Sequence, residues 1–187
     1  MERVFVLRSG QEVHGFEAGD GELAVLLHSG VGSSAQWKGA MRTLRDHVRV
    51  LALDLSGHGR TLRPPGLTSE NLLAHERDLV LEVIAQEGAP VHLVGHSYGG
   101  VVAMFVAAAA PRSVRTLTLI EPAALSLLAT TGAEHYDRVL DLHRRFEAMV
   151  VAGDHEAAMA FFMDHWNQPG LWPMLPAPMR AAIAAMA

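Results

Sequence analysis

The chain contains no cysteine, which excludes disulfides, thiolate nucleophiles and cysteine-held metals. It has no run of 18 apolar residues, so no segment reads as a membrane span. The opening MERVFVLRSGQEV holds too short an apolar stretch for a signal peptide. Positive charge is scarce as well: 15 Lys and Arg against 20 Asp and Glu leave a net charge of -5. Phosphate binding needs a basic patch, so nucleic acid is not expected as the main partner. Internal repeats and low-complexity tracts are missing too. These absences leave a cytoplasmic protein with a small-molecule partner as the expectation.

Half of the 187 residues are hydrophobic and 19% are charged, a globular rather than a disordered composition. The length suits a single sizeable core. Short apolar runs at 3–7, 12–18, 23–28, 48–54, 91–95 and 114–122 read as strands. The run LAVLLH is continuous, as in a strand covered on both faces, whereas EVHGFEA alternates. Between the runs, Trp37, Ala40, Met41 and Leu44 form one helical stripe, and a second helix is expected from about 68 to 87. Alternating strands and helices predict an α/β fold, a mostly parallel sheet with helices on both faces. From about 133 the pattern is helical only, with Gly153 ending one helix and Asp154 capping the next. The terminal MRAAIAAMA also has helix-forming composition.

The chemistry concentrates in VHLVGHSYGGVVAMFVAAAA, residues 91–110. Gly95, Ser97 and Gly99 form G-x-S-x-G between a strand and an apolar helix. A serine at such a strand-to-helix turn needs small neighbours two positions away on each side, because larger side chains would strike the turn. Ser97 would stand at a helix N-terminus, where free N–H groups favour developing negative charge. The Tyr98 N–H is then one candidate oxyanion donor. LLHSGVGSS (26–34) could bring a second, with Gly30 first choice and Val31 next, and Val31 is also a candidate substrate contact. DLSGHGRT (54–61) makes a third glycine-rich turn after a strand, so all three fall at the carboxyl edge of the sheet.

On these motifs the chain resembles the α/β-hydrolase fold family. HSG at 28–30 is similar to that family's oxyanion loop, with Ser29 where glycine is usual, and DLSGHGRT to its D-x-x-G-x-G-x-S turn, with Thr61 for serine. GHSYGG is similar to its nucleophile elbow. The resemblance implies a core over residues 1–125 and a helical cap over 126–187, whose apolar side chains, Trp166 among them, would contribute to a pocket. It also implies a triad in the order serine, acid, histidine, the last two following strands beyond the cap. The chain stops inside the cap, so the last two strand–helix units, roughly 60 to 80 residues by the usual size of such units, and the histidine base are expected beyond residue 187.

Within the chain, Glu121 stands where some family members carry the acid, although it also reads as a structural carboxylate in IEP. His28 reads as structural, His58 precedes the serine, and His96 should point away from it into the fold, as a packed core or loop histidine. His135, His143, His155 and His165 lie on helices of the cap segment and read mostly as solvated positions. No histidine spacing suits zinc, and GVGSS lacks both the third glycine of a dinucleotide loop and the lysine of a P-loop, so no metal or cofactor is expected. The functional expectation is a serine hydrolase cleaving an ester, lactone, thioester or carbon–carbon bond beside a ketone. The competing expectation is a non-catalytic ligand-binding or remnant form that lacks its base.

Overall fold

The computed structural model describes residues 1–185. The chain divides into two compact units, Met1–Ala124 and Leu125–Ala187. Unit 1 holds six strands: β1 (Glu2–Val6), β2 (Glu12–Ala18), β3 (Leu23–Leu27), β4 (Arg49–Leu53), β5 (Val91–His96) and β6 (Val114–Ile120). Their order in the sheet is β1-β2-β4-β3-β5-β6. The four strands from β4 to β6 run parallel, while β2 is antiparallel to both β1 and β4. This is the mostly parallel α/β sheet that the alternating pattern predicts.

Side-chain alternation explains how β3 can be buried at every position. Val25 and Leu27 face a core built with Leu79, Val80, Val83 and Ile84 of α2 (Leu72–Glu87) and Val102, Ala103 and Val106 of α3 (Tyr98–Ala109). Ala24 and Leu26 face the opposite core, closed by Trp37 and by Met41 of α1 (Lys38–Leu44). Fully burying one such aliphatic side chain contributes about 1.5–3 kcal/mol, so the two faces together hold the sheet rigid behind its loops. The strand β6 pairs only with β5, and Leu117, Leu119 and Ile120 stay 37–40% exposed. LTLI is thus a sheet edge among the described residues rather than a doubly covered strand.

Two helix boundaries differ from the periodicity. The stripe from Trp37 is preceded by a 3-10 turn, Ser34–Trp37, with the Ser33 hydroxyl accepting from the Ala35 N–H. The helix expected from about 68 begins at Leu72, because Asn71 accepts from the Thr68 N–H (2.8 Å) and donates to the Gly66 carbonyl (3.1 Å). Those local bonds offer the backbone a turn in place of a helix.

Unit 2 is helical throughout its described residues: α4 (Leu128–Thr131), α5 (Ala133–Val151), α6 (His155–Trp166), α7 (Leu171–Met174) and α8 (Ala177–Ala184). Gly153 turns the chain between α5 and α6 at φ +79°, and Asp154 caps α6 by accepting from the Ala157 N–H at 3.1 Å. Phe146 of α5 packs on Phe162 of α6 with ring centroids 5.8 Å apart. The last two residues of the expected terminal helix, 186 and 187, lie outside the described residues. No helix among the described residues is long and apolar enough to cross a membrane.

Candidate active site

The turn from β5 into α3 stands on Ser97, whose backbone adopts φ 52°, ψ -114°. Strain of this kind in a non-glycine residue costs about 1–3 kcal/mol and persists only where its surroundings over-determine it. They do so here. The Ser97 N–H donates to the Ile120 carbonyl (3.0 Å), and the Ser97 carbonyl accepts from Gly100 (3.0 Å) and Ala123 (3.1 Å). The Gly99 N–H donates to the His28 carbonyl (3.1 Å), tying the elbow to the loop after β3. Both flanking glycines are required by close backbone approach. A Cβ on Gly99 would lie 2.5 Å from the carbonyl oxygens of Leu27 and His28, and one on Gly95 would collide with the Gly99 carbonyl.

Tyr98 opens α3, so its N–H has no acceptor one turn back and lies at the positive end of the helix dipole. Gly30 sits beside it, since a Cβ there would lie 3.5 Å from the Tyr98 Cβ. The loop that carries Gly30 is braced at several points. The Ser29 N–H donates to Gln36 Oε1 (3.1 Å), and the Gly30 carbonyl accepts from His58 Nε2 (2.8 Å). The buried Asp54 carboxylate accepts from the N–H groups of Ser34 (2.7 Å) and Arg60 (3.1 Å), locking the turns after β3 and β4 together. The Gly30 loop and the start of α3 are thus held side by side by fixed backbone contacts.

The histidines nearest these loops are occupied. His28 is fully buried, with Nδ1–H donating to the Ser29 carbonyl (2.7 Å) and Nε2 accepting from the Leu55 N–H (3.0 Å). Burial lowers its pKa to about 4, which keeps the ring neutral. His58 directs both nitrogens at carbonyl oxygens, Ser56 (3.0 Å) and Gly30 (2.8 Å). Neither ring presents a nitrogen to Ser97. His96 is partly exposed at the end of β5, where its Nδ1 meets Gln36 Nε2 at 3.0 Å.

Of the other candidates, Glu121 follows β6 directly, is exposed, and has φ 43°. The Ser97–Ile120 hydrogen bond places its backbone at the same sheet edge as the elbow. Val31 is half-buried in the loop beside Gly30. Trp166 belongs to unit 2, where it is 49% exposed and meets His165 edge-on at 5.0 Å. Two residues the sequence reading passed over matter here. Gln36 links the Gly30 loop to His96. Glu76 is fully buried on α2, its Oε1 accepting from the Ser56 N–H (3.0 Å), and burial raises its pKa to about 7. Burial, with the Glu76 charge as a second cause, also raises that of Tyr98. Glu76 carried a readable signal, being a carboxylate in register with the apolar stripe at Leu72, Leu79 and Val83.

A family model described as Alpha/beta hydrolase family matches residues 24–186. A 2-hydroxy-6-oxo-2,4-heptadienoate hydrolase of Pseudomonas putida is 35% identical, with 69% of this chain and 48% of that protein covered. An (E)-2-((N-methylformamido)methylene)succinate hydrolase of Acinetobacter baylyi is 32% identical over 61% of this chain and 43% of that protein. Among solved structures, a hydrolase from Pseudomonas aeruginosa PA01 matches with TM-score 0.70 and 26% identity, over 99% of this chain and 66% of that one. The chain spans about half the length of the curated relatives it matches.

Proposed function

This chain belongs to the alpha/beta hydrolase family, and we propose that it carries the nucleophile and oxyanion hole of a serine hydrolase for a small, largely apolar carbonyl compound. The observation that carries this reading is the strained Ser97 backbone, held at a helix N-terminus between glycines that admit no Cβ. Ser97 Oγ attacks the carbonyl carbon and passes its proton to a histidine. The N–H groups of Gly30 and Tyr98 hold the resulting oxyanion. Collapse expels the leaving group, which takes up that proton, and water then releases the acyl group from Ser97. By the family's order of serine, acid and histidine, the base is proposed as a histidine beyond residue 187; within the chain, both nitrogens of His28 and of His58 are engaged. Glu121 is the in-chain candidate for the acid that orients it, and Val31 is the candidate substrate contact in unit 1. The Pseudomonas putida relative is named for a compound with a ketone at carbon 6, which suits attack beside a carbon–carbon bond as well as ester cleavage.

Pre-steady-state hydrolysis of p-nitrophenyl butyrate by the natively expressed protein tests this. A stoichiometric burst of nitrophenolate that Ser97→Ala abolishes is expected. A burst that survives Ser97→Ala rejects Ser97 as the nucleophile. The occupied rings of His28 and His58 favour a second reading, a binding protein without a base; it predicts that the ester binds with no burst at all.

A further inference from the structure

One side chain joins the loop after β3 to the elbow and has no part in the reaction as written above. Gln36 lies in the 3-10 turn Ser34–Trp37. Its Oε1 accepts from the Ser29 N–H at 3.1 Å, and its Nε2 meets His96 Nδ1 at 3.0 Å. Ser29 directly precedes Gly30, and His96 directly precedes Ser97. A single amide therefore spans the two residues that adjoin the oxyanion loop and the nucleophile.

That amide has one workable orientation. A backbone N–H only donates, so Oε1 must face Ser29 and the N–H groups of Nε2 must face His96. His96 Nδ1 then has to accept, which puts the neutral ring's proton on Nε2. The loop leaves room for this arrangement: a Cβ on Gly32 would lie 2.8 Å from Gln36 Oε1. Gln36 is itself exposed, so core packing does not account for its two contacts.

The segment that Gln36 holds is the one that orients Gly30. The Ser29 carbonyl accepts from His28 Nδ1 (2.7 Å) and from the Gly32 N–H (2.9 Å). In a trans peptide the carbonyl and the following N–H point opposite ways, so these bonds aim the Gly30 N–H. With its own N–H held by Gln36, Ser29 is fixed on both sides. We propose that Gln36 is a positioning residue, which sets the spacing of the Gly30 N–H from Ser97 by clamping Ser29 to His96. This rests on the serine-hydrolase reading. Without the clamp, the Gly99–His28 backbone bond and the His58–Gly30 bond still brace the loop. The loss should therefore stay below the roughly 10²–10³ in rate that removing a whole oxyanion donor costs.

Pre-steady-state hydrolysis of p-nitrophenyl butyrate by the natively expressed protein, with variants at both ends of the clamp, tests the proposal. Gln36→Met keeps the length of the side chain and neither contact. It should slow the burst about tenfold, within the cost of a small misplacement, and leave the ester concentration for half-maximal rate unchanged. His96→Ala should slow the burst to a similar degree. Combining the two should be no slower than either alone, because each by itself breaks the one link. His96→Asn, whose Oδ1 offers an acceptor near the lost Nδ1, should be faster than His96→Ala. At alkaline pH, ring nitrogen chemical shifts should show His96 Nδ1 without a proton. A wild-type burst that Gln36→Met leaves at full speed overturns the proposal. Rate losses that multiply in the double variant, or a proton found on His96 Nδ1, do the same. A wild type with no burst rejects the hydrolase reading itself, and the proposal with it.

Discussion

Replacing Glu76 by glutamine should raise the stability of unit 1 relative to the wild type progressively as the pH rises from about 4.5 to about 7. Glu76 exposes no surface, receives one hydrogen bond at Oε1 from the Ser56 N–H, and has no partner for Oε2. Burial therefore raises its pKa from the usual 4.5 to about 7, the Ser56 hydrogen bonds offsetting part of the rise. Between those values the folded chain holds a proton that the unfolded chain has released. Stability then falls with rising pH by about 1.4 kcal/mol per unit, on the order of 3 kcal/mol across the window, and levels off above it. Glutamine keeps the acceptor for the Ser56 N–H and never ionises, so the difference between the two proteins isolates this one group. Its two buried N–H donors add a roughly constant penalty of about 1–3 kcal/mol. His28 slopes the other way: burial lowers its pKa from 6.5 to about 4, so its contribution is whole above 6.5 and is lost as the pH falls toward 4. In the wild type the two slopes oppose each other between about 4.5 and 6.5, and Glu76→Gln should unmask the His28 limb. Urea unfolding at pH 4 to 8.5, with Trp166 and Trp172 changed to phenylalanine so that Trp37 alone reports on unit 1, gives the two curves. A stability difference that does not change with pH would refute the reasoning.

Two substitutions test the elbow as a piece of backbone engineering. Gly99→Ala sets a Cβ 2.5 Å from two carbonyl oxygens, Leu27 at the end of β3 and His28 in the loop after it, and should cost at least about 3 kcal/mol in urea unfolding, the upper range for overpacking; a loss under about 1 kcal/mol would show that the loop gives way. Ser97→Gly relieves the left-handed φ of 52° and should stabilise unit 1 by about 1 kcal/mol, the strain released less the added freedom of the unfolded chain. Equal or lower stability by thermal melting would mean that the turn is not strained.

The elements with strong local signals were readable from the chain. The apolar runs became strands, β2 with the expected bounds 12–18, and the Gly153–Asp154 pair reversed the chain as a C-terminal glycine and a capping aspartate should. The flanking glycines of Ser97 implied a turn too tight for side chains, which is the geometry found. Hidden features depend on distance along the chain. Gln36 reaches His96 across 60 residues, and no spacing rule reports such a meeting. The start of α2 moved to Leu72 because a single asparagine side chain outweighed helical periodicity over one turn. The exposure of β6 was conditional on what lies beside it, which its own apolar composition cannot state. Glu76 was legible as an oddity on an apolar stripe, but its bond to Ser56 joins residues 20 apart.

Intact mass after treating the natively expressed protein with a fluorophosphonate, beside Ser97→Ala, tests the central claim most directly. The account predicts one adduct per chain, located by peptide mapping on the segment containing Ser97, and none in the variant. A protein that gains no adduct, or one whose adduct persists in Ser97→Ala, would contradict it.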